Sequence, residues 1–216
     1  GLTGWPVTQE HGVRRYERMD VNRSRARHWS AARVCAVVAM AAMLSGSAPD
    51  AEARKRGIVG QPAPTWQGLH TWFQLPKGTK AIDVSDFKGK VVYLYFFQSW
   101  CPGCHSRGFP TLKHVRHQFG ARDDVVFVAV QTVFEGFHTN TANKALSTVQ
   151  EFGLDIPTAH DPGSANSGSL LMKRYRSGGT PWTVLIDRKG VVRFNGFRLH
   201  PDQARARVES LLAESP

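Results

Sequence analysis

The segment VVYLYFFQSWCPGC, residues 91–104, decides the fold class of this chain. Its first seven residues, Val91 to Phe97, are all apolar and rich in β-branched and aromatic side chains. Such a run predicts a central strand that is covered on both faces. A short loop then leads to Cys101, and the residues from about Pro102 to Phe119 are predicted to form a helix.

The sequence after this helix predicts more alternation of strands and helices. A second buried strand is predicted at residues 124–130 and a helix at residues 141–152, before Gly153. Strand, helix and strand in this order imply a right-handed crossover and a parallel pair. Further along, we predict a short strand at 157–160, a Gly/Ser loop at 161–169, a helix at 170–175, a hairpin of 182–187 and 191–195, and a helix at 201–213. The predicted fold class is therefore α/β, a central mixed sheet flanked by helices on both faces.

The N-terminal part has the order of a secretory signal peptide. From Met19, several arginines precede an apolar run, Val34 to Leu44, which is followed by small residues up to Ala53. This run of about 11 residues is too short to cross a hydrocarbon core of roughly 30 Å. We expect residues 19–53 to be a signal peptide and residues 54–216 to be one exported, periplasmic or extracytoplasmic domain. The first 18 residues are expected to be vector-derived or upstream sequence, and an uncleaved signal that anchors the protein in a membrane is the alternative.

The chain is basic, with 28 Lys and Arg against 17 Asp and Glu and a net charge of +11. The basic residues are scattered and form no stripe interleaved with aromatic residues. This pattern is typical of a solvated surface, so no nucleic-acid partner is predicted.

The cysteine content indicates chemistry rather than a structural disulfide framework. Cys35 lies in the apolar run of the predicted signal, so the mature domain keeps only Cys101 and Cys104. A disulfide across so short a loop constrains little of the unfolded chain. A pair of cysteines two residues apart in an exported protein is therefore predicted to be reactive.

The position of the pair, between a buried strand and a helix, explains how it would react. The unpaired amides and the positive end of the helix dipole favour a thiolate at Cys101. That thiolate attacks a disulfide, and Cys104, about one turn later, resolves the mixed disulfide. Pro102 suits the first helical position, Gly103 leaves the approach open, and Trp100 would form an apolar wall beside the nucleophile.

A metal site is the alternative use of these cysteines, because three histidines follow them at positions 105, 114 and 117. Zinc requires four ligands that converge on one point. A continuous helix would carry His114 and His117 three turns or more away from the cysteines. We therefore predict no metal and no other cofactor.

The sequence resembles the thioredoxin superfamily, and within it the exported TlpA and ResA type of thiol-disulfide oxidoreductase. The resemblance implies a thioredoxin-like fold with a cis peptide bond at Thr180-Pro181, opposite the dithiol, where the backbone of Thr180 pairs with substrate. It also implies disulfide exchange with exported proteins, mainly as a reductase, with a membrane electron donor or acceptor as partner. The residues that carry the resemblance are 60–64, 88–90, the strand at 91–97, the WCPGC motif at 100–104, Pro110 and 179–187.

Two positions depart from the family pattern. Thioredoxins carry a buried acidic residue six positions before the first cysteine, where this chain has Tyr95. Proton transfer must then use water or another group, and we predict Glu135, just past the second buried strand, as a candidate. Pro110 follows Cys104 by six residues, one more than is usual, which affects the helix register.

Two other functions occur on the same fold. Peroxiredoxins have a Thr three residues before the reactive cysteine and a Pro four residues earlier still, whereas this chain has Gln98 and Leu94. Copper-binding assembly factors space their cysteines by three residues and add a distant histidine, whereas the spacing here is two. A peroxidase and a copper-binding factor are kept as alternatives.

Overall fold

The structure is a computed structural model that describes residues 58–197 and 199–215. The predicted signal peptide, its cleavage point and residues 1–18 lie outside these described residues. Within the described part, no helix is both long enough and apolar enough to cross a membrane.

Six strands form one mixed sheet in the spatial order β1-β4-β3-β2-β5-β6. Strand β2 runs parallel to β3 and antiparallel to β5, and β3 runs parallel to β4. The predicted α/β class with a mixed sheet is confirmed. The elements are β1 (Thr71–Phe73), β2 (Val91–Phe97), α1 (Phe109–Phe119), β3 (Val125–Thr132), α2 (Ala142–Glu151), β4 (Thr158–Asp161), α3 (Leu170–Tyr175), β5 (Trp182–Ile186), β6 (Val192–Gly196) and α4 (Pro201–Ala213).

Strand β2 is the centre of the core, since all seven of its residues are buried. Successive side chains of a strand point to opposite faces, so β2 contributes to two apolar clusters. Tyr93, Tyr95 and Phe97 pack with residues of α1, α2 and α4 on one face. Val92, Leu94 and Phe96 pack on the other face with α3 and with Ile58, Trp66 and Leu69. The helices therefore cover both faces, as the continuous apolar run predicts.

The helix that follows the cysteines differs from the regular helix predicted from Pro102 to Phe119. Residues Cys104–Gly108 form a π-helical turn, in which the Phe109 amide bonds the carbonyl five residues back, at Cys104. A π-turn holds one residue more than an α-turn. Pro110, which has no amide hydrogen to donate, follows at the start of α1. The wider turn thus absorbs the extra residue between Cys104 and Pro110.

Candidate active site

Strand pairing brings the dithiol and Pro181 to the same edge of the sheet. Because β2 and β5 are antiparallel, with Phe96 opposite Trp182, the segment that follows β2 meets the segment that precedes β5. The Thr180-Pro181 peptide bond is cis, as the family resemblance implies. A Cβ atom placed on Gly103 would lie 3.2 Å from Pro181 Cδ, so Pro181 packs directly against the turn that carries the cysteines.

The two cysteines are free thiols in this structure and are sheltered, with 6% of Cys101 and 0% of Cys104 exposed. The amide of Cys104 donates a hydrogen bond to Cys101 Sγ at 3.2 Å. The thiol of Cys101 faces the carbonyl oxygen of Thr180 at 3.6 Å. The structure therefore brings together Cys101, Cys104 and Thr180, in the arrangement that the spacing and the resemblance predict.

The surroundings of the two thiols shift their pKa values in opposite directions. The Cys104 thiol is the main cause that lowers the pKa of Cys101 to about 6, against the opposing effect of burial. The Thr180 side chain and the amides of Gly103 and Cys104 act in the same lowering direction. Burial is the main cause that raises the pKa of Cys104. Cys101 is therefore the more acidic thiol and is mainly ionised at neutral pH, whereas Cys104 keeps its proton.

The loop before Cys101 is held by Asn140, a buried residue that the sequence analysis missed. Its Oδ1 accepts hydrogen bonds from the amide and the hydroxyl of Ser99, both at 2.9 Å. Its Nδ2 donates to Gln98 Oε1 at 3.2 Å. Asn140 precedes Thr141, whose side chain caps α2 by accepting from the Lys144 amide. The only signal in the sequence was a polar residue beside a helix cap, which ordinarily indicates a turn.

Three further predicted site residues, Trp100, Pro102 and Glu135, are exposed. Trp100 is 45% exposed, and Pro102 is also exposed. Glu135 lies in the loop after β3 and is exposed, and its side chain makes no hydrogen bond to any described residue. Only its backbone carbonyl is used, as an acceptor for Asn140. A role of Glu135 in proton transfer therefore stays a prediction.

His105, which directly follows Cys104, is held by a backbone carbonyl and by two aromatic rings. His105 Nε2 lies 2.7 Å from the carbonyl oxygen of Ser99, and the His105 ring packs against Phe109 and Phe152. In residues 58–197 and 199–215, no three His, Cys, Asp or Glu side chains are grouped so that they could hold a metal ion.

A groove of about 940 Å³ runs beside the cis peptide. Its walls include Gly103, Thr180, Pro181 and Leu199, and Phe197 forms part of its apolar surface. Phe197 is 46% exposed and packs edge-on against Trp182, with 4.5 Å between the ring centroids. The site thus combines a sheltered thiolate with an open, largely apolar surface that a polypeptide could contact.

Comparison with known proteins agrees with this geometry. The family model described as Redoxin matches residues 58–212. Thiol-disulfide oxidoreductase ResA of Bacillus anthracis is 30% identical over 113 residues, which are 52% of this chain and 58% of ResA. The chain thus matches a little over half the length of that relative.

Two solved structures share the fold over most of their length. A thioredoxin-like superfamily protein superimposes with a TM-score of 0.64 and 31% identity, covering 71% of this chain and 97% of that one. A thiol-disulfide isomerase from Corynebacterium glutamicum superimposes with a TM-score of 0.61 and 29% identity, covering 71% of this chain and 98% of that one. The thioredoxin-like fold expected from the motifs is therefore confirmed.

Proposed function

The chain belongs to the Redoxin family, and from this premise we propose that it is an exported thiol-disulfide oxidoreductase that acts on protein disulfides. The observation that carries the proposal is the asymmetric pair of thiols beside the cis peptide bond. The pKa of Cys101 is lowered to about 6, whereas burial raises the pKa of Cys104. The Cys101 sulfur can thus attack at neutral pH, and the Cys104 sulfur stays protonated until the second step.

The reaction would run in two exchange steps. The Cys101 thiolate attacks one sulfur of the substrate disulfide, a Cys101-substrate disulfide forms, and the other substrate sulfur leaves as a thiolate that takes a proton from water. Cys104 then attacks Cys101, so that the Cys101-Cys104 disulfide forms and the second substrate sulfur leaves and takes up the proton lost by Cys104. The substrate gains two electrons and the protein loses two. During both steps, the Thr180 backbone would pair with the substrate chain.

The acidity of Cys101 supports a protein that reduces disulfides rather than one that forms them. The corresponding thiol has a pKa of about 7 in thioredoxin, a reductant, and about 3.5 in DsbA, a strong oxidant whose reduced form is stabilised. A pKa of about 6 at Cys101 is nearer the first value. We propose that the protein works as a reductase and is reduced again by a membrane electron donor. The signal-like pattern at residues 19–53 supports a periplasmic or extracytoplasmic location.

The exposed aromatic residues support a polypeptide substrate. Trp100 adjoins the nucleophile, Phe197 forms part of the groove, and Phe137 is exposed in the loop after β3. Exposed apolar side chains near a reactive group can form an interaction surface. We propose that these rings contact the residues that flank the substrate cysteine.

The proposed function is tested by comparing oxidants of the reduced protein. We expect a disulfide-bonded peptide to oxidise the Cys101/Cys104 pair faster than hydrogen peroxide does at equal concentration, as measured by quenching with acid and counting free thiols. In the position where a peroxiredoxin has its Thr, the Gln98 side chain is buried and accepts from Asn140. Faster oxidation by peroxide would favour the peroxidase. Copper binding with a submicromolar dissociation constant that is lost in Cys101→Ser would favour the copper-binding factor.

The same assay tests the polypeptide-binding surface with a matched pair of variants. Phe197→Ser is expected to lower kcat/KM for the peptide disulfide about fivefold, since an apolar contact of this size stabilises a complex by roughly 1 kcal/mol. It is expected to leave the rate with a small disulfide such as oxidised glutathione unchanged. Val59→Ser is the control, because Val59 is 49% exposed but is no part of the groove. Equal losses in both variants would contradict the assignment of the surface.

A further inference from the structure

Tyr95 is a buried polar residue that the exchange mechanism has not used so far. It lies on β2, six residues before Cys101, and no part of it is exposed. Its ring is fixed by an edge-on contact with Phe109, at 5.1 Å between centroids, and a stacked contact with Phe97 at 6.1 Å. The direction of its hydroxyl is therefore set by packing.

The hydroxyl of Tyr95 lies against the π-helical turn that begins at Cys104. A Cβ atom on Gly108, the last residue of that turn, would overlap Tyr95 Oη and would lie 2.8 Å from Pro181 Cβ. Glycine is thus the residue that leaves room for the hydroxyl between the turn and Pro181. The wider turn and the missing side chain together leave room for the Tyr95 hydroxyl beside the turn that begins at Cys104.

The hydroxyl has no hydrogen-bond partner of good geometry among the described residues. A buried hydroxyl is costly when it is left unpaired, and such a group in a native protein requires an explanation. Burial raises the pKa of Tyr95 well above its usual value, and the neighbouring Cys104 thiol adds to the rise. Tyr95 therefore stays protonated, and its hydrogen is available for a neighbour that becomes negative.

We propose that the Tyr95 hydroxyl donates a hydrogen bond to the Cys104 sulfur when that sulfur becomes a thiolate, and that it thereby speeds the resolving step. The inference rests on the proposed function. A buried thiolate is costly without donors, and a bond to a charged group is stronger than a bond between neutral groups. In the step itself, Cys104 loses its proton, the Cys101-Cys104 bond forms, and the substrate sulfur leaves with a proton. Tyr95 keeps its own proton throughout.

Two other groups, the Gln98 backbone and the Thr180 side chain, also lower the pKa of the Cys104 thiol, and the Tyr95 hydroxyl would add to their effect. The titratable groups that act on the Tyr95 hydroxyl are Cys104, Cys101 and Tyr93, none of which is a carboxylic acid. On the helical side, His105 is turned to the Ser99 carbonyl oxygen. Tyr95 thus occupies the place of the buried acid of thioredoxins, but it can serve only as a donor and not as a base at neutral pH.

The test compares Tyr95→Phe with Tyr93→Phe in single-turnover reactions with a peptide disulfide. The formation and the decay of the mixed disulfide are followed by acid quench and mass spectrometry between pH 5 and 10. We expect Tyr95→Phe to slow the decay at least about tenfold, because it removes a hydrogen bond to a charged group. We also expect the pH midpoint of the decay to rise by about one unit, because a tenfold weaker stabilisation of the Cys104 thiolate raises the pKa of Cys104 by about one unit. The formation rate should stay within twofold of the unmodified protein.

Tyr93→Phe is the matched control, since Tyr93 lies two residues earlier on the same face of β2 and its hydroxyl is also buried, with no hydrogen-bond partner among the described residues. It is expected to leave both rates and the pH midpoint unchanged. Unchanged decay in Tyr95→Phe, or equal slowing in both variants, would overturn the proposal while leaving the proposed function intact. If the unmodified protein forms no mixed disulfide at all, the proposed function fails and the role of Tyr95 fails with it.

Discussion

Replacing Cys101 with serine is expected to abolish disulfide reduction, whereas replacing Cys104 with serine is expected to stop the reaction at the mixed disulfide. A serine hydroxyl at position 101 is not ionised at neutral pH, so the attacking group is lost. We expect turnover to fall by on the order of 10³-fold or more. In Cys104→Ser, the Cys101 thiolate can still attack, but no second sulfur displaces the substrate. Mass spectrometry should then find the substrate attached to Cys101.

Both variants replace a sheltered thiol with a hydroxyl of similar shape, so their folding has to be measured beside their activity. Thermal unfolding of the reduced proteins provides this control. The account is contradicted if folded Cys101→Ser keeps a substantial part of the activity. It is also contradicted if Cys104→Ser accumulates no mixed disulfide while it still reduces the peptide catalytically.

The rate at which iodoacetamide alkylates Cys101 is expected to rise with pH about a midpoint near 6. The pKa of Cys101 is lowered to about 6, chiefly by the Cys104 thiol. At pH 7, a thiol with this pKa is about 90% ionised, against about 3% for an unperturbed cysteine with a pKa of about 8.5, which is a difference on the order of 30-fold in thiolate. Cys104 is buried and protonated, so it should not react.

Cys104→Ala tests why the pKa of Cys101 is low, because it removes the Cys104 thiol, the largest contribution to the lowering. Its alkylation midpoint is expected to lie above that of the unmodified protein. A midpoint above pH 8 in the unmodified protein would contradict the description of the site.

The same ionisation links the redox state to stability. The pKa of Cys101 is about 6 in the folded protein, below the value of about 8.5 for an unperturbed cysteine. Ionisation of Cys101 therefore stabilises the reduced folded form. This stabilisation is complete above about pH 8.5, the pKa of the thiol in the unfolded chain, and it is lost as the pH falls through about 6. The oxidised form has no such titration at Cys101. The reduced form should thus gain stability relative to the oxidised form as the pH is raised from 6 towards 8.5.

The parts of the fold that could be predicted from the sequence are those encoded by local pattern. The uninterrupted apolar run of β2 predicts burial on both faces, and all seven of its residues are buried. The spacing of Cys101 and Cys104 at a strand-to-helix junction predicts the dithiol, and the structure places the Cys101 sulfur 3.6 Å from the Thr180 carbonyl oxygen, with Gly103 packed against Pro181. Hydrophobic burial and helix geometry act over short stretches of chain, so the sequence pattern carries them directly.

The features that could not be predicted depend on contacts between distant segments. Asn140 holds Ser99 from 41 residues away, and nothing in the local sequence of either residue indicates the pairing. The position of Pro110 showed that one residue was added to the helix, but it did not show that a π-turn at Cys104–Gly108 absorbs it. The place of the Tyr95 hydroxyl likewise depends on Gly108 and Pro181, which come from other elements.

The central claim is that Cys101 and Cys104 form a redox couple that reduces protein disulfides, and its most direct test is the reduction potential of the pair. The domain is equilibrated in glutathione buffers, and the free thiols are then counted. The account predicts one two-electron transition between the dithiol and the Cys101-Cys104 disulfide. Its reduction potential should be closer to that of thioredoxin, about −270 mV, than to that of DsbA, about −120 mV. A potential near that second value would contradict the reductase direction, and the absence of a Cys101-Cys104 disulfide in any buffer would contradict the function itself.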